Sequence, residues 1–476
     1  MAPRPAFKTA AAATLFLASC SEPAQVVAKP NVVVFLADTL RADRLGCYGG
    51  PAGTSPRIND FAEKGIRFAH ATAPSPYTSP SHASLFTATD PAAHGVWNRV
   101  LLPSGEPIFP RLAEGSTTLA EALSKANYQT AAIADGGNVS EARGFAQGFD
   151  LFASQFRGAK NRVENGINWI KNRDASRPFF LFLHTYQTHT PYLPAPEHVE
   201  KFANPSYQGP LLEAWRGARE KASKGPIRNA IRSIQQEFYR PLLPEEGPPN
   251  PEDLAFLRAL YDAEIAEMDF EFGRFLDYLK AEGLDKNTIV VLTSDHGEEF
   301  WEHGIYGHHQ VYESTVHIPL IWKIPGDSGG RVREDTVGLI DLMPTILELV
   351  GLTPPPGLQG KSINPTGPEL PPGRVLFSEA NWPEPQIAWN QNYLKVILFP
   401  DSGRHPEVYD LKLDPHELEE LTRPNSIRIA GDYLEAWREA CIATQQDLEM
   451  QPGVRNLNQL DPAQRAELEA LGYIGG

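Results

Sequence analysis

Basic charge is what this chain of 476 residues lacks: 43 Lys and Arg stand against 59 Asp and Glu, a formal net charge of −16. Nothing in it resembles the basic footprint of a nucleic-acid binder, so nucleic acid is not an expected partner. A negative chain does not exclude an anionic substrate, because a metal ion and a few local cations set the field inside a pocket. Cysteine is scarce as well, with three residues. Cys20 belongs to a leader, and Cys47 and Cys441 alone make no disulfide framework, so both read as packing residues. Internal repeats are absent. What remains is an ordinary globular composition, 41% hydrophobic and 21% charged, in a chain long enough for a large core and more than one structural unit.

The N-terminus reads as an export signal. Arg4 and Lys8 make a positive start, and Ala10 to Ala18 is apolar but too short to span a bilayer as a mature helix. Leu17-Ala18-Ser19-Cys20 resembles a bacterial lipobox, in which Cys20 is lipidated after cleavage; the alternative is an ordinary cleaved signal with an incidental cysteine. Residues 1–20 are then a lipoprotein signal and 21–30 a tether. The expected location is exported, periplasmic or anchored at the outer membrane of a bacterium, with membrane contact only through lipid on Cys20.

Three short apolar runs organise the rest of the chain. Asn31 to Ala37 ends at Asp38, Pro178 to Leu183 ends at His184, and Ile289 to Ser294 ends at Asp295-His296-Gly297. Such runs read as strands of a parallel sheet buried on both faces, and the edge where they end is where ligands bind in open α/β sheets. Helices alternate with them. Thr118 to Glu121 has capping-box spacing and opens a helix toward Lys125, Asp253 to Glu282 carries apolar residues at helical spacing, and Asp341 to Val350 closes at Gly351. The expectation is an α/β domain with helices on both sheet faces. Residues 194–251 lose periodicity and read as an insertion over the sheet edge. Residues 353–374, rich in proline, read as a linker. Beyond them Val375 to Ser378, Tyr393 to Phe399 and Val408-Tyr409 suggest a small antiparallel C-terminal unit (375–476) with a helix around Ile427 to Leu448.

The candidate site residues lie at these strand ends. Asp38 alone is as much a helix cap as a metal ligand. Asp295-His296 at the end of another strand adds a hard oxygen and an imidazole, a pair that suits zinc or manganese better than calcium. Thr78 precedes Pro80, which fits a first helical turn, so Thr78 sits at a helix N-terminus that favours an anion. It is either a capping threonine or, beside a metal, a nucleophile. His184 and His189 flank one strand end, and His296, His303, His308, His309 and His317 crowd one segment. Such histidines hold an anion's oxygens, protonate a leaving group, or bind a second ion.

In order along the chain, the segments Asp38 to Gly49, Ser79 to Thr87, His94-Gly95-Val96, His184 through Tyr192, Ser294 to Glu298, Gly307-His308 with Tyr312-Glu313, Ile318-Pro319-Leu320 and Tyr409-Asp410-Leu411 resemble the sulfatase family of the alkaline-phosphatase superfamily. The resemblance covers nearly all of Asn31 to Asp414, with residues 31–352 as the catalytic domain. It implies a large, mixed, mostly parallel sheet sandwiched by helices, with a smaller C-terminal antiparallel-sheet subdomain. It also implies a divalent metal ion held by Asp38, Asp295 and His296, and the surplus of histidines leaves room for a second. Thr39 stands where a second Asp is common, and Thr78 joins the same set. His189 matches the family's substrate-binding His, and His308 lies near where many members place a Lys.

Two departures matter for the chemistry. The family's nucleophile segment is Cys or Ser, any residue, Pro, any residue, Arg; here Thr78 holds the nucleophile position and His82 that of the Arg. Threonine cannot become the formylglycine on which true sulfatases depend. Its ester would have to be broken by water at phosphorus or sulfur, as in the Thr-dependent members of the superfamily. The reading is therefore a metal-dependent hydrolase of sulfate or phosphate esters with Thr78 as nucleophile, leaning to phosphodiester or phosphonate-type substrates. A membrane-associated phosphotransferase acting on lipid or glycan is one alternative, and a non-catalytic anion-binding protein on the same scaffold is the other.

Overall fold

The three apolar runs become neighbouring central strands. In the computed structural model, which describes residues 29–448 except 103, 156–157, 225–233, 235, 237–247 and 401, together with 453–456 and 462, one sheet has eight strands. In chain order these are Asn31–Ala37 (β1), Ile66–Thr72 (β2), Gln129–Ala134 (β3), Leu151–Ser154 (β4), Phe179–Thr185 (β5), Thr288–Thr293 (β6), His317–Lys323 (β7) and Arg331–Gly338 (β8). Across the sheet they run β8-β2-β7-β6-β1-β5-β3-β4, and β7 alone is antiparallel to its neighbours. The lipid-anchor reading at Cys20 and the signal at 1–20 lie outside the described residues.

Strand β1 shows why its sequence is apolar throughout. Val32, Val34 and Leu36 join one core with Phe86 and Met343, while Val33 and Phe35 join a second core with Leu260 and Phe272 on the opposite face. Alternate side chains point to opposite faces of a strand, so a sheet covered on both sides needs every position apolar. Each such side chain, fully buried, contributes roughly 1.5–3 kcal/mol. The helix Pro251–Ala281 covers one face, and Thr78–Thr87 with Leu342–Leu349 cover the other. The capping box forms as read: Thr118 Oγ1 accepts from Glu121 N, and Thr118 N donates to Glu121 Oε2.

The described parts of the insertion and the linker are more ordered than their sequences suggested. Residues 194–251 contain the helices Pro196–Phe202 and Pro210–Ser223. Residues 353–374 carry no helix or strand but form a strap bound to the domain. Gly360 N donates to Ala88 O, Ile363 is buried, and Arg333 donates to the carbonyls of Asn364, Pro365, Gly367 and Pro368. The C-terminal unit is an antiparallel sheet of Val375–Ala380 (β9), Gln386–Gln391 (β10), Leu394–Leu398 (β11) and Glu407–Asp410 (β12). The helix Pro424–Asp447 packs on it through Trp437 and Leu434 against Phe377 and Trp389. Both described cysteines are free thiols, as expected of packing residues. No helix among the described residues is long and apolar enough to cross a membrane.

Candidate active site

Asp38, Asp295 and His296 meet at the carboxyl edge of the parallel strands, where β1 and β6 end side by side. One ligand atom from each lies within 4.8 Å of the others, and all three side chains are fully buried. Their surroundings fix which atoms face inward. His296 Nδ1 donates to Gly297 O at 2.9 Å, leaving the Nε2 lone pair 3.5 Å from Asp295 Oδ2. A hydrogen bond on the far nitrogen sets the tautomer of a ligand histidine in this way. Asp295 Oδ1 accepts from His296 N and Thr39 N, while Asp295 Oδ2 and Asp38 Oδ1 have no hydrogen-bond partner. Burial and the Asp295 charge push the Asp38 carboxyl well above its usual range, with the Thr78 hydroxyl pulling weakly the other way.

Two orphaned carboxylate oxygens and an imidazole nitrogen turned toward them are a donor set that suits a divalent cation. The glycine of Asp-His-Gly has a packing cause. A Cβ on Gly297 would lie 2.2 Å from Ser314 O, where the segment bonds through Gly297 N to Thr315 O.

Thr78 completes the cluster from the far side. It is the first residue of the helix Thr78–Thr87, and its Oγ1 lies 3.4 Å from His296 Nε2. His82, one turn along, donates from Nδ1 to Thr78 O at 2.8 Å and lies 3.6 Å from Asp295 Oδ2. Burial keeps this imidazole below its ordinary pKa. Where the family carries a cationic Arg, this site holds a neutral ring.

The remaining sequence candidates separate into groups. His184 Nδ1 accepts from Asp135 N, so its Nε2–H is the donor toward Asp38 Oδ2 at 3.3 Å. It orients Asp38 instead of facing the open side. His189 donates from Nδ1 to Thr190 O and leaves Nε2 without a partner. His308 is held through Nδ1 by Glu298 Oε1 at 2.8 Å, with its ring centroid 4.6 Å from that of His296 and 5.2 Å from that of His189. Burial lowers both His189 and His308 to about 4. Thr39 lies beside the cluster, with its hydroxyl 2.7 Å from Asp38 O and 2.8 Å from Thr188 O, either of which it can donate to. His303 and His317 bond elsewhere, to Glu299 and Ala69 O.

Supporting features went unread in the sequence, among them the backbone of Thr39 and the side chain that holds it. Thr39 has φ of 58°, a strained value for a β-branched residue, and Tyr261 OH donates to its carbonyl at 2.6 Å. Glu298 is buried behind His308 and pushed up to about 7 by that burial. Only its adjacency to Asp295-His296 could have signalled it. Arg99 and Trp382, on loops far apart in the chain, wall the mouth of the site and carry no motif.

Comparisons with known proteins place this geometry. Residues 30–352 match the family model Sulfatase, and residues 301–434 match the model for the C-terminal part of N-sulphoglucosamine sulphohydrolase. The chain is 26% identical to an N-acetylglucosamine-6-O-sulfatase of Bacteroides thetaiotaomicron, over 86% of each chain. It is 24% identical to an arylsulfatase of Clostridium perfringens, over 85% of this chain and 93% of that one. A solved structure described in complex with its substrate D-glucosamine-2-N,6-O-disulfate superposes with a TM-score of 0.68 at 22% identity, covering 88% of this chain and 98% of that one. A phosphonate monoester hydrolase of Agrobacterium radiobacter gives 0.65 at 21% identity, covering 90% and 97%. With more than half its length matched by the family model and its strand-end carboxylates and histidine assembled at one edge, this chain is a member of the sulfatase family, hydrolases of ester bonds.

Proposed function

We propose that the protein is a metal-dependent hydrolase of sulfate or phosphate esters that uses Thr78 as its nucleophile, leaning to phosphodiester or phosphonate-type substrates. The observation that carries this reading is the position of Thr78 Oγ1, buried at a helix N-terminus and 3.4 Å from His296 Nε2 within the Asp38, Asp295, His296 cluster. A zinc or manganese ion held by those three residues would supply charge stabilisation for the transferred group.

The chain's own groups account for the rest. Thr78 Oγ1 attacks sulfur or phosphorus in line with the leaving oxygen, a bond forms to Thr78, and the ester bond breaks. Ser79 N and Ser81 N are engaged by Asn98 Oδ1 and Tyr77 O, so the helix N-terminus is fixed before substrate arrives. His189 Nε2, unpartnered, within ring contact of His308 and bare in the neutral ring because Nδ1 donates to Thr190 O, is placed to take up a proton as the anionic substrate arrives and pass it to the leaving oxygen. Burial keeps both rings neutral, and an arriving anion favours the charged form. Water then attacks the covalent ester: its oxygen stays on sulfur or phosphorus and one of its protons goes to Thr78 Oγ1. The proton that Thr78 released to solvent in the first step restores the one His189 gave up. His184 and His82 hold Asp38 and the nucleophile helix in place without supplying charge. Export and a lipid on Cys20 belong to the same reading, supported by the leader sequence.

The test is a kinetic comparison of one aryl leaving group as sulfate, phosphate monoester, phosphodiester and phosphonate, with zinc, manganese and calcium supplied in turn. Turnover with zinc or manganese, greatest on the phosphodiester or phosphonate, is the expected result. No turnover of any ester with any metal would reject the reading, and turnover confined to the sulfate would reject its substrate preference.

A further inference from the structure

Beside the metal-ligand cluster is a cavity of about 230 Å³, lined by His189 and His308 at its inner end and by Tyr77, Arg99, Tyr306 and Trp382 around its walls. It is smaller than the roughly 300–1,000 Å³ typical of sites for drug-sized ligands, which leaves room for one ring and its substituents. Among the described lining residues none is acidic, in a chain with 59 acidic residues, and one is an arginine. Neither Thr78 nor any of the three candidate metal ligands lines it, so the reacting group and this cavity occupy separate places.

The walls are tied to the nucleophile on both sides. Asn98, next to Arg99, accepts from Ser79 N at 2.8 Å, while Tyr77 OH donates to Trp382 O. Trp382 arrives on the loop between β9 and β10 of the C-terminal sheet, and Asn381 beside it donates from Nδ2 to Arg99 O at 3.2 Å. The Arg99 guanidinium lies over the Trp382 ring, 4.3 Å from its centroid, and His309 meets that ring edge-on at 5.0 Å. A guanidinium resting on an indole directs its in-plane N–H edge sideways, a geometry that matches a planar or tetrahedral anion.

We infer that Arg99, held on Trp382, recognises a second negative group on the leaving portion of the substrate, which is a single ring bearing a carboxylate or sulfate in addition to the ester that reacts. The inference rests on the proposed hydrolysis only for the identity of the inner end of the cavity as the place where the leaving oxygen sits. The C-terminal sheet, through Trp382, then has a direct part in substrate choice.

The experiment pairs 4-hydroxybenzoate with its neutral amide, both as free ligands in calorimetric titrations and as the aryl groups of the ester that the enzyme turns over best. Arg99→Gln and Arg99→Lys are compared with the wild type. A hydrogen-bonded charge contact predicts that the wild type prefers the carboxylate by roughly 10–100-fold. In Arg99→Gln that ratio collapses toward one, and Arg99→Lys restores part of it. A wild type that binds both ligands equally, or neither, overturns the inference, as does a ratio that survives in Arg99→Gln. If Arg99→Gln lowers kcat/KM equally for both esters, Arg99 serves the reacting group and the inference is also wrong. Arg99-dependent binding of the carboxylate without hydrolysis of either ester would instead sink the hydrolase reading and leave this one standing.

Discussion

At the catalytic edge Asp38 and Asp295 are buried together with an oxygen of each left unpartnered, whereas at the seam with the C-terminal sheet Glu417 and Glu313 share the buried ammonium of Lys395, 2.8 Å from a carboxylate oxygen of each. Both places put two acids side by side, fully buried at the catalytic edge and with Glu313 partly exposed at the seam. At the seam the compensating charge is part of the chain. Burial raises the Glu313 carboxyl, but Lys395 outweighs it and holds the group below its usual range; burial lifts Glu417 to about 7. At the catalytic edge the nearest basic side chains are His82, His184 and His296, all kept below their ordinary pKa mainly by burial. Two buried carboxylates without a cation are expensive, and native proteins rarely leave such groups unsatisfied without a functional reason. The contrast teaches that one pair holds two parts of the fold together and the other is prepared for an ion and a substrate.

The largest effect is expected from Thr78→Ala, which leaves the carboxylates and removes the attacking oxygen. Turnover should fall by about 10³-fold or more while the melting temperature holds; unchanged kcat would take Thr78 out of the mechanism. Next is Asp295→Asn, which alters the unsatisfied pair alone. It should reduce bound zinc or manganese well below the wild-type ratio in elemental analysis, and an unchanged ratio would remove Asp295 from the donor set. Lys395→Met does the converse. Removing one partner of a buried ion pair costs about 3–5 kcal/mol, so chemical denaturation should show a loss of that size with metal content unaltered. If that variant lost metal, the two acidic places would not be independent.

The smallest effect is a pH dependence at a second point on the seam. Glu379, whose Oε1 accepts from Ala92 N, is pushed up to about 8 by burial and by Asp90, and Asp90 itself to about 6 by burial. Carboxyls whose folded pKa is raised bind more protons folded than unfolded, so their contribution is complete below the unfolded values and is lost as pH rises through the folded ones. The advantage in melting temperature that Glu379 gives the wild type over Glu379→Gln should therefore shrink between about pH 5 and pH 8.5. A difference that grows across the interval would contradict the sign.

Much of this was legible in the sequence, for identifiable reasons. Strands β1, β5 and β6 announced themselves because burial on two faces demands uninterrupted apolar runs, and the polar residues that end them mark the site. Strand β10, Gln386–Gln391, passed unread because Gln and Asn interrupt its apolar residues, although five of its six positions are buried. The helices Pro196–Phe202 and Pro210–Ser223 were hidden by the prolines that begin them, which read as loop punctuation but stand in first helical turns. For the site, residue types at strand ends gave Asp38, Asp295 and His296, and the register set by Pro80 at a helix start gave Thr78. Which nitrogen of His184 faces Asp38, where the Thr39 hydroxyl points, and the meeting of Arg99 with Trp382 depend on contacts between segments distant in sequence. No local pattern encodes them.

The most direct test of Thr78 as the carrier of the transferred group is rapid-quench turnover of the best ester followed by peptide mass spectrometry. The predicted result is an adduct of the transferred group on the peptide containing Thr78, localised to that residue and absent from Thr78→Ala. Continued turnover with no adduct on that peptide, or an adduct on a different residue, would contradict it.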